Sequence, residues 1–218
     1  MRHAKTRYAS MSRRAALTAA ALTSMALMAG CGGNSSNGAA EGDMAMGAPE
    51  GAKVTVIEYA SVTCPHCAAW QDTTWPGFKA KYVDTNKVRY VFRELPTPPA
   101  DVAVAGFLIA RCAGADKYFD VVHEIMASQR EWQAGVQPRE TLQRVAAGAG
   151  LSEEAYRACV TDPKGIEAME RRIQIARDAG VTGTPAFFVN GTQVITPGGE
   201  GASLADLSTA IDAELAKG

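Results

Sequence analysis

The sequence predicts an α/β domain whose sheet is interrupted by an all-helical insertion, and three observations predict it. A β-rich run, Lys53–Tyr59, leads within a few residues into a helix-compatible segment that starts after Cys64 and reaches about Tyr82. A second β-rich run, Val88–Leu95, is stopped by Pro96, Pro98 and Pro99, which cannot donate to a sheet ladder. From Asp101 the apolar residues recur at helical spacing, and strand-like sequence returns only at Ala186.

The elements follow in order. Phe107, Leu108 and Cys112 mark one helix before Gly114, Phe119, Val122 and Met126 a second, and Leu142, Val145 and Ala149 a third. A short helix is expected from Ser152 to Val160. A longer one follows, with Asp162 as its cap, Pro163 at its first position and Ile166, Met169, Ile173 and Ala176 along one face until Gly180. Thr184-Pro185 precedes the strand Ala186–Val189, Asn190-Gly191 is a favoured two-residue hairpin turn, and Thr192–Ile195 returns antiparallel. Ser203 caps a final amphipathic helix carrying Leu204, Leu207, Ile211 and Leu215. The folded domain is thus read as residues 52–218, with the helical insertion at 100–179 between the second strand and the Thr184-Pro185 segment.

The chain before it has a different character. Arg2, Lys5, Arg7, Arg13 and Arg14 precede an apolar stretch, Ala15–Ala29, and then Gly30-Cys31. A basic region before a short apolar core reads as an export signal over residues 1–30, too short for the roughly 20 residues of a spanning helix. Leu27-Met-Ala-Gly-Cys31 resembles the lipobox of bacterial lipoproteins, with Met28 where leucine is usual, which implies lipid on Cys31. The alternative is an ordinary secretory signal cleaved nearby. Ser12-Arg13-Arg14 is also similar to a twin-arginine signal, so the export route stays open. Residues 31–51 are rich in Gly, Ala, Asn and Ser and read as a flexible tether in which Met44 and Met46 are incidental. The formal net charge of −1 falls to about −6 without the leader's basic residues, which excludes a basic nucleic-acid footprint.

The chemistry gathers at Cys64-Pro65-His66-Cys67, where strand gives way to helix. A helix N-terminus leaves backbone N–H groups unpaired and carries partial positive charge, so it favours an anion. A thiolate at Cys64 is stabilised there, Pro65 fits the first helical position, and His66 can donate to the sulfur or, protonated, attract it. Each unit of thiol pKa depression favours the thiolate by roughly 1.4 kcal/mol, and each 1.4 kcal/mol makes the disulfide about 30 mV more oxidising. Cys67, a turn further in, is the less exposed partner. A structural zinc site would need four ligands, and no second Cys-x-x-Cys or His-x-His follows; covalent haem would need His where Ala68 stands. No metal and no cofactor are expected.

Cys-Pro-His-Cys in this context, with Val181-Thr-Gly-Thr-Pro-Ala-Phe-Phe-Val-Asn-Gly191 downstream, resembles the DsbA family of thioredoxin-fold disulfide oxidoreductases. The resemblance implies a thioredoxin fold whose helical insertion plain thioredoxins lack. It implies a cis peptide at Pro185, which leaves the Thr184 backbone free to pair with an extended substrate beside Cys64. It also implies that Glu58, six residues before Cys64, lies beneath the site and moves a proton for the buried cysteine. The residues alone leave open that Glu58 pairs instead with Arg89 or Arg93. In an oxidising compartment Cys112 and Cys159 are expected to pair, and some family members carry a second bridge here; the alternative is two inert buried thiols. Closing that loop of about 48 residues stabilises by roughly 4 kcal/mol. His123 is read as a surface or core histidine.

The function expected is that of a periplasmic, lipid-anchored thiol–disulfide oxidoreductase, a monomer, that forms disulfides in newly exported cysteine-containing proteins. By the resemblance, a DsbB-type membrane oxidase regenerates it. The rivals are a reductase or isomerase, the latter disfavoured because the tether leaves no room for a dimerisation domain, and a non-catalytic peptide-binding lipoprotein using the same groove.

Overall fold

The computed structural model describes residues 39–198 and 201–217; the export signal, Cys31 and the first part of the tether lie outside them. Strands β2 (Thr55–Ala60) and β3 (Arg89–Glu94) form the centre of the sheet. Alternation with period two sends Val56, Ala60, Tyr90 and Phe92 to one face and Ile57, Tyr59 and Val91 to the other. Both faces are therefore apolar, and both must be covered. The two strands pair in parallel, Val56 opposite Tyr90 and Glu58 opposite Phe92. Strand β4 (Ala186–Val189) runs antiparallel to β2, and β5 (Thr192–Val194) antiparallel to β4. Asn190 and Gly191 between them have φ of 43° and 78°, the left-handed pair that a tight hairpin turn requires.

A fifth strand corrects the reading of residues 31–51 as tether throughout. Residues Met44–Gly47 form β1, antiparallel on the outer edge of β3, and complete the order β1-β3-β2-β4-β5. Met44 and Met46 are not incidental, since both pack against the main core. Just before the strand, both carboxylate oxygens of Asp43 accept from the Arg93 guanidinium, each at 2.9 Å, and Arg93 also donates to the Tyr59 hydroxyl. The segment is held because it satisfies the edge of β3 and the charge of Arg93. Neither partner is near it in sequence.

The segment after Cys64 breaks at Thr74 into α1 (Pro65–Thr73) and α2 (Trp75–Phe78), and continues as a π-helical turn, Lys79–Val83. Trp70, Trp75, Phe78 and Tyr82 face the sheet, with ring centroids 4.5 Å apart for Trp70 and Phe187 and 4.8 Å for Trp75 and Tyr90. Burying each such ring stabilises by about 2 to 3 kcal/mol. The insertion comprises α3 (Ala100–Cys112), α4 (Ala115–Ala127), α5 (Gln129–Gln133), α6 (Pro138–Gly148), α7 (Glu153–Val160) and α8 (Pro163–Asp178). Asp162 caps α8 by accepting from the Lys164 and Gly165 amides. Helices α3, α4 and α6 extend the core on the α1 side, while Ala176 of α8 joins Ile57, Tyr59 and Phe188 on the other face. A disulfide joins Cys112 at the end of α3 to Cys159 in α7. Helix α9 (Leu204–Ala216), capped by Ser203, buries Leu207 and Ile211 against the sheet. The sequence reading did not anticipate α5 or a second cis peptide, Pro98-Pro99.

Candidate active site

The end of β2 delivers the chain to the start of α1 through a turn that is tied down on two sides. The Ser61 hydroxyl accepts from the Thr97 amide, and the Thr63 hydroxyl donates to the Thr97 carbonyl at 2.8 Å. From the insertion, Gln129 of α5 donates through Nε2 to the carbonyls of Val62, at 2.8 Å, and Cys64, at 3.2 Å. Cys64 is thereby fixed as the N-cap of α1, with Pro65 at its first position. Its sulfur accepts the Cys67 amide at 3.2 Å, and its thiol donates to the Thr184 carbonyl at 3.4 Å. The Thr184-Pro185 peptide is cis. Both cysteines are free thiols and buried, Cys64 to 4% exposure and Cys67 completely.

These contacts divide the two thiols. Cys64 is lowered from 9.0 to about 6: the hydrogen bond with the Cys67 side chain comes first, burial opposes it, and Thr184 and the amides of Cys67 and His66 add to the lowering. Cys67 is pushed well above its ordinary value by burial, and further by Cys64 and by Glu58. His66 is exposed and lines a groove of about 490 Å³ together with Gly180, Thr184, Pro185, Phe188, Gln193 and Gly201.

Glu58 sits on the α1 side of β2 because it keeps the phase of Val56 and Ala60. It is buried, and it accepts from the Tyr90 hydroxyl across the parallel pair of strands. The proposed alternative partner Arg93 is committed to Asp43 and Tyr59, so Tyr90 is the partner that sequence reasoning missed. Burial raises the Glu58 carboxyl from 4.5 to about 8, the Tyr90 hydrogen bond opposes this, and negative charge at Cys64 adds to it. His123 lies half-buried beside Trp75 and Phe119, and burial lowers it to about 4. No group of three or more His, Cys, Asp or Glu among the described residues has the arrangement of a metal site.

A pH dependence of stability follows. A carboxyl raised by folding gives stability that is complete below the unfolded value of 4.5 and lost as pH rises through about 8. With Cys64 and Cys67 oxidised, neither thiol titrates, and urea unfolding should show a loss on the order of 3 kcal/mol between pH 5 and 8. Glu58→Gln should abolish that slope. In the reduced protein the lowered thiol of Cys64 acts oppositely: its contribution is complete above 9.0 and lost as pH falls through about 6. The reduced curve should therefore be flatter between pH 6 and 8 than the oxidised one.

A dithiol at the N-terminus of the first helix after a central strand, faced by a cis-proline segment, defines a thioredoxin-fold protein, and the six-helix insertion places it with the DsbA-type branch. The thioredoxin family model matches residues 39–213. The chain belongs to that family. It is 37% identical over 174 residues, 79% of its length, to a candidate protein-disulfide oxidoreductase of Rickettsia bellii. The match spans 64% of that relative, so the chain covers less than two thirds of the relative's length. Among solved structures, Wolbachia pipientis alpha-DsbA1 is 27% identical with a TM-score of 0.70, over 81% of this chain and 92% of that one. Oxidised BdbD of Bacillus subtilis, 16% identical with a TM-score of 0.73 over 84% and 98%, shares the fold. No helix among the described residues is long and apolar enough to cross a membrane.

Proposed function

We propose that this protein is an exported thiol–disulfide oxidoreductase that forms disulfides in translocated proteins, with Cys64 as the attacked sulfur and Cys67 as its partner. The observation that carries the reading is the division of the two thiols, one lowered to about 6 and one raised, beside the Thr184 carbonyl. With the pair oxidised, a client thiolate attacks Cys64 Sγ, and the Cys64–Cys67 bond breaks as the new bond forms. Cys67 leaves with the electron pair and takes a proton. Glu58, with a pKa of about 8, holds that proton at neutral pH and stands close enough to raise Cys67, which makes it the donor. A second client thiolate then attacks the client sulfur and expels Cys64 as the stable thiolate, so two electrons have passed from client to protein. Thr184 and Pro185 bear the client backbone, and His66 stands at the groove's rim. Cys112–Cys159 is a structural bridge. The reading includes a lipid on Cys31, a periplasmic location at the membrane, a monomeric state and reoxidation by a DsbB-type membrane oxidase.

Magnitude separates thiolate stability from direction. A thiol of pKa about 6 stabilises the reduced form at pH 7 by at most about 1.4 kcal/mol, or about 30 mV, less what solvent screening removes. Members of this fold differ by roughly 150 mV, so the potential itself decides the direction of electron flow. Titration of the Cys64 thiolate absorbance should give a midpoint near 6, and equilibration against glutathione should place the pair above roughly −200 mV. A potential near −270 mV, that of thioredoxin, removes the oxidase direction, and a midpoint above 8 removes the site.

A further inference from the structure

The loop between β5 and α9 reaches back to the active site at one residue. Gly201 has φ of 127°, and a Cβ built on it would stand 2.8 Å from Pro185 Cγ, 3.5 Å from Trp70 Cδ1 and 3.7 Å from Phe187 Cε2. The glycine is thus wedged between the Pro185 ring, helix α1 and strand β4. Its own backbone has little room to retreat. The Ala202 carbonyl accepts the buried indole N–H of Trp70 at 2.7 Å, and the Ser203 amide donates to Thr196 Oγ1 at 2.7 Å. Thr196 and Ser203 both donate to Asp206 in the first turn of α9. A five-membered ring cannot swing aside as a long side chain does, so a methyl group at 201 would displace Pro185 and, with it, Thr184.

We propose that Gly201 is a positioning residue for thiol–disulfide exchange: its missing side chain lets Pro185 seat against Trp70 and Phe187, and that seat fixes where Thr184 meets the Cys64 sulfur. This rests on the exchange reading given above, and it adds a residue outside both motifs. Helix α1 and the Thr184-Pro185 segment are then held in register by a third segment, through Trp70, Ala202 and Gly201 in turn. The Thr184 side chain lowers the Cys64 thiol while the Thr184 carbonyl accepts from the protonated sulfur, so a displaced Thr184 should be felt there first.

The test is Gly201→Ala against Gly198→Ala. Gly198 lies in the same loop, also has positive φ, 71°, and has nothing within 4 Å of a built Cβ, so it carries a milder, left-handed strain and no contact with Pro185. Gly201→Ala should raise the Cys64 thiolate midpoint by about half a unit or more and slow oxidation of a reduced peptide by about tenfold, with Gly198→Ala close to the parent in both. Equal shifts in the two variants, or none in Gly201→Ala, overturn the assignment. If Gly201→Ala does not fold, Trp70→Phe removes the donor to Ala202 and should raise the same midpoint, and an unmoved midpoint there is equally decisive. The parent protein's own midpoint tests the exchange reading separately, because the variants are judged only by their difference from it.

Discussion

Cys64→Ser is expected to lower disulfide formation in a reduced client by about a thousandfold or more, while leaving peptide binding in the groove intact. The exchange needs a sulfur that can be attacked, bonded and expelled. A hydroxyl in the same N-cap accepts the Cys67 amide equally well, so the fold should persist, but oxygen forms no disulfide. Cys67→Ser should behave differently, because Cys64 is still a thiol that can attack a disulfide. Offered a client that already carries a disulfide, the Cys64 thiolate of that variant attacks one sulfur and expels the other as a thiolate, and the client–Cys64 mixed disulfide should accumulate as a reducible adduct in gel electrophoresis, since the resolving thiol is gone. Unchanged activity in Cys64→Ser would remove Cys64 as the attacked sulfur.

Glu94→Ala should destabilise the fold by about 3 to 5 kcal/mol. The Glu94 side chain has no exposure; it accepts from Arg111 Nε at 2.7 Å, Arg172 Nε at 2.5 Å and the Tyr118 hydroxyl at 2.9 Å. One carboxylate at the end of β3 thus balances guanidinium groups from α3 and α8. Arg172 already holds one buried guanidinium nitrogen without a partner. Removing the acid leaves two poorly solvated cations facing each other, and most of the cost lies there rather than in the lost hydrogen bonds. For a domain of this size the melting temperature should fall by roughly 10 °C or more. Glu94→Gln keeps the shape and an acceptor and should lie between the two. A loss below about 1 kcal/mol in urea unfolding of Glu94→Ala would mean that water reaches the cluster and screens it.

What was legible in the sequence was local. Asp162 with Pro163 announces the start of α8 because capping involves residues two and three positions apart. Asn190-Gly191 announces the hairpin because the turn needs two left-handed residues in a row. Cys64 as the cap of α1 follows from strand, turn and helix in immediate succession. What escaped was pairing at a distance. Strand β1 is four residues long, and its reasons to form, the open edge of β3 and Arg93, lie more than 40 residues downstream. Tyr90 reaches Glu58 only because β2 and β3 pair with Val56 opposite Tyr90, a register that neither strand encodes alone. Gln129 in a helix of five residues, and Gly201 in a loop, leave no periodic signal.

The amide of Gln129 ties the insertion directly to the turn that presents Cys64. It grips the peptide carbonyls on both sides of Thr63, so the helical lobe is less a lid resting on the catalytic half than a finger hooked into its hinge. Helix α5 is fastened a second time by the pair of Arg130 with Asp72 of α1 at 2.7 Å, so its position and that of the turn before Cys64 are set together.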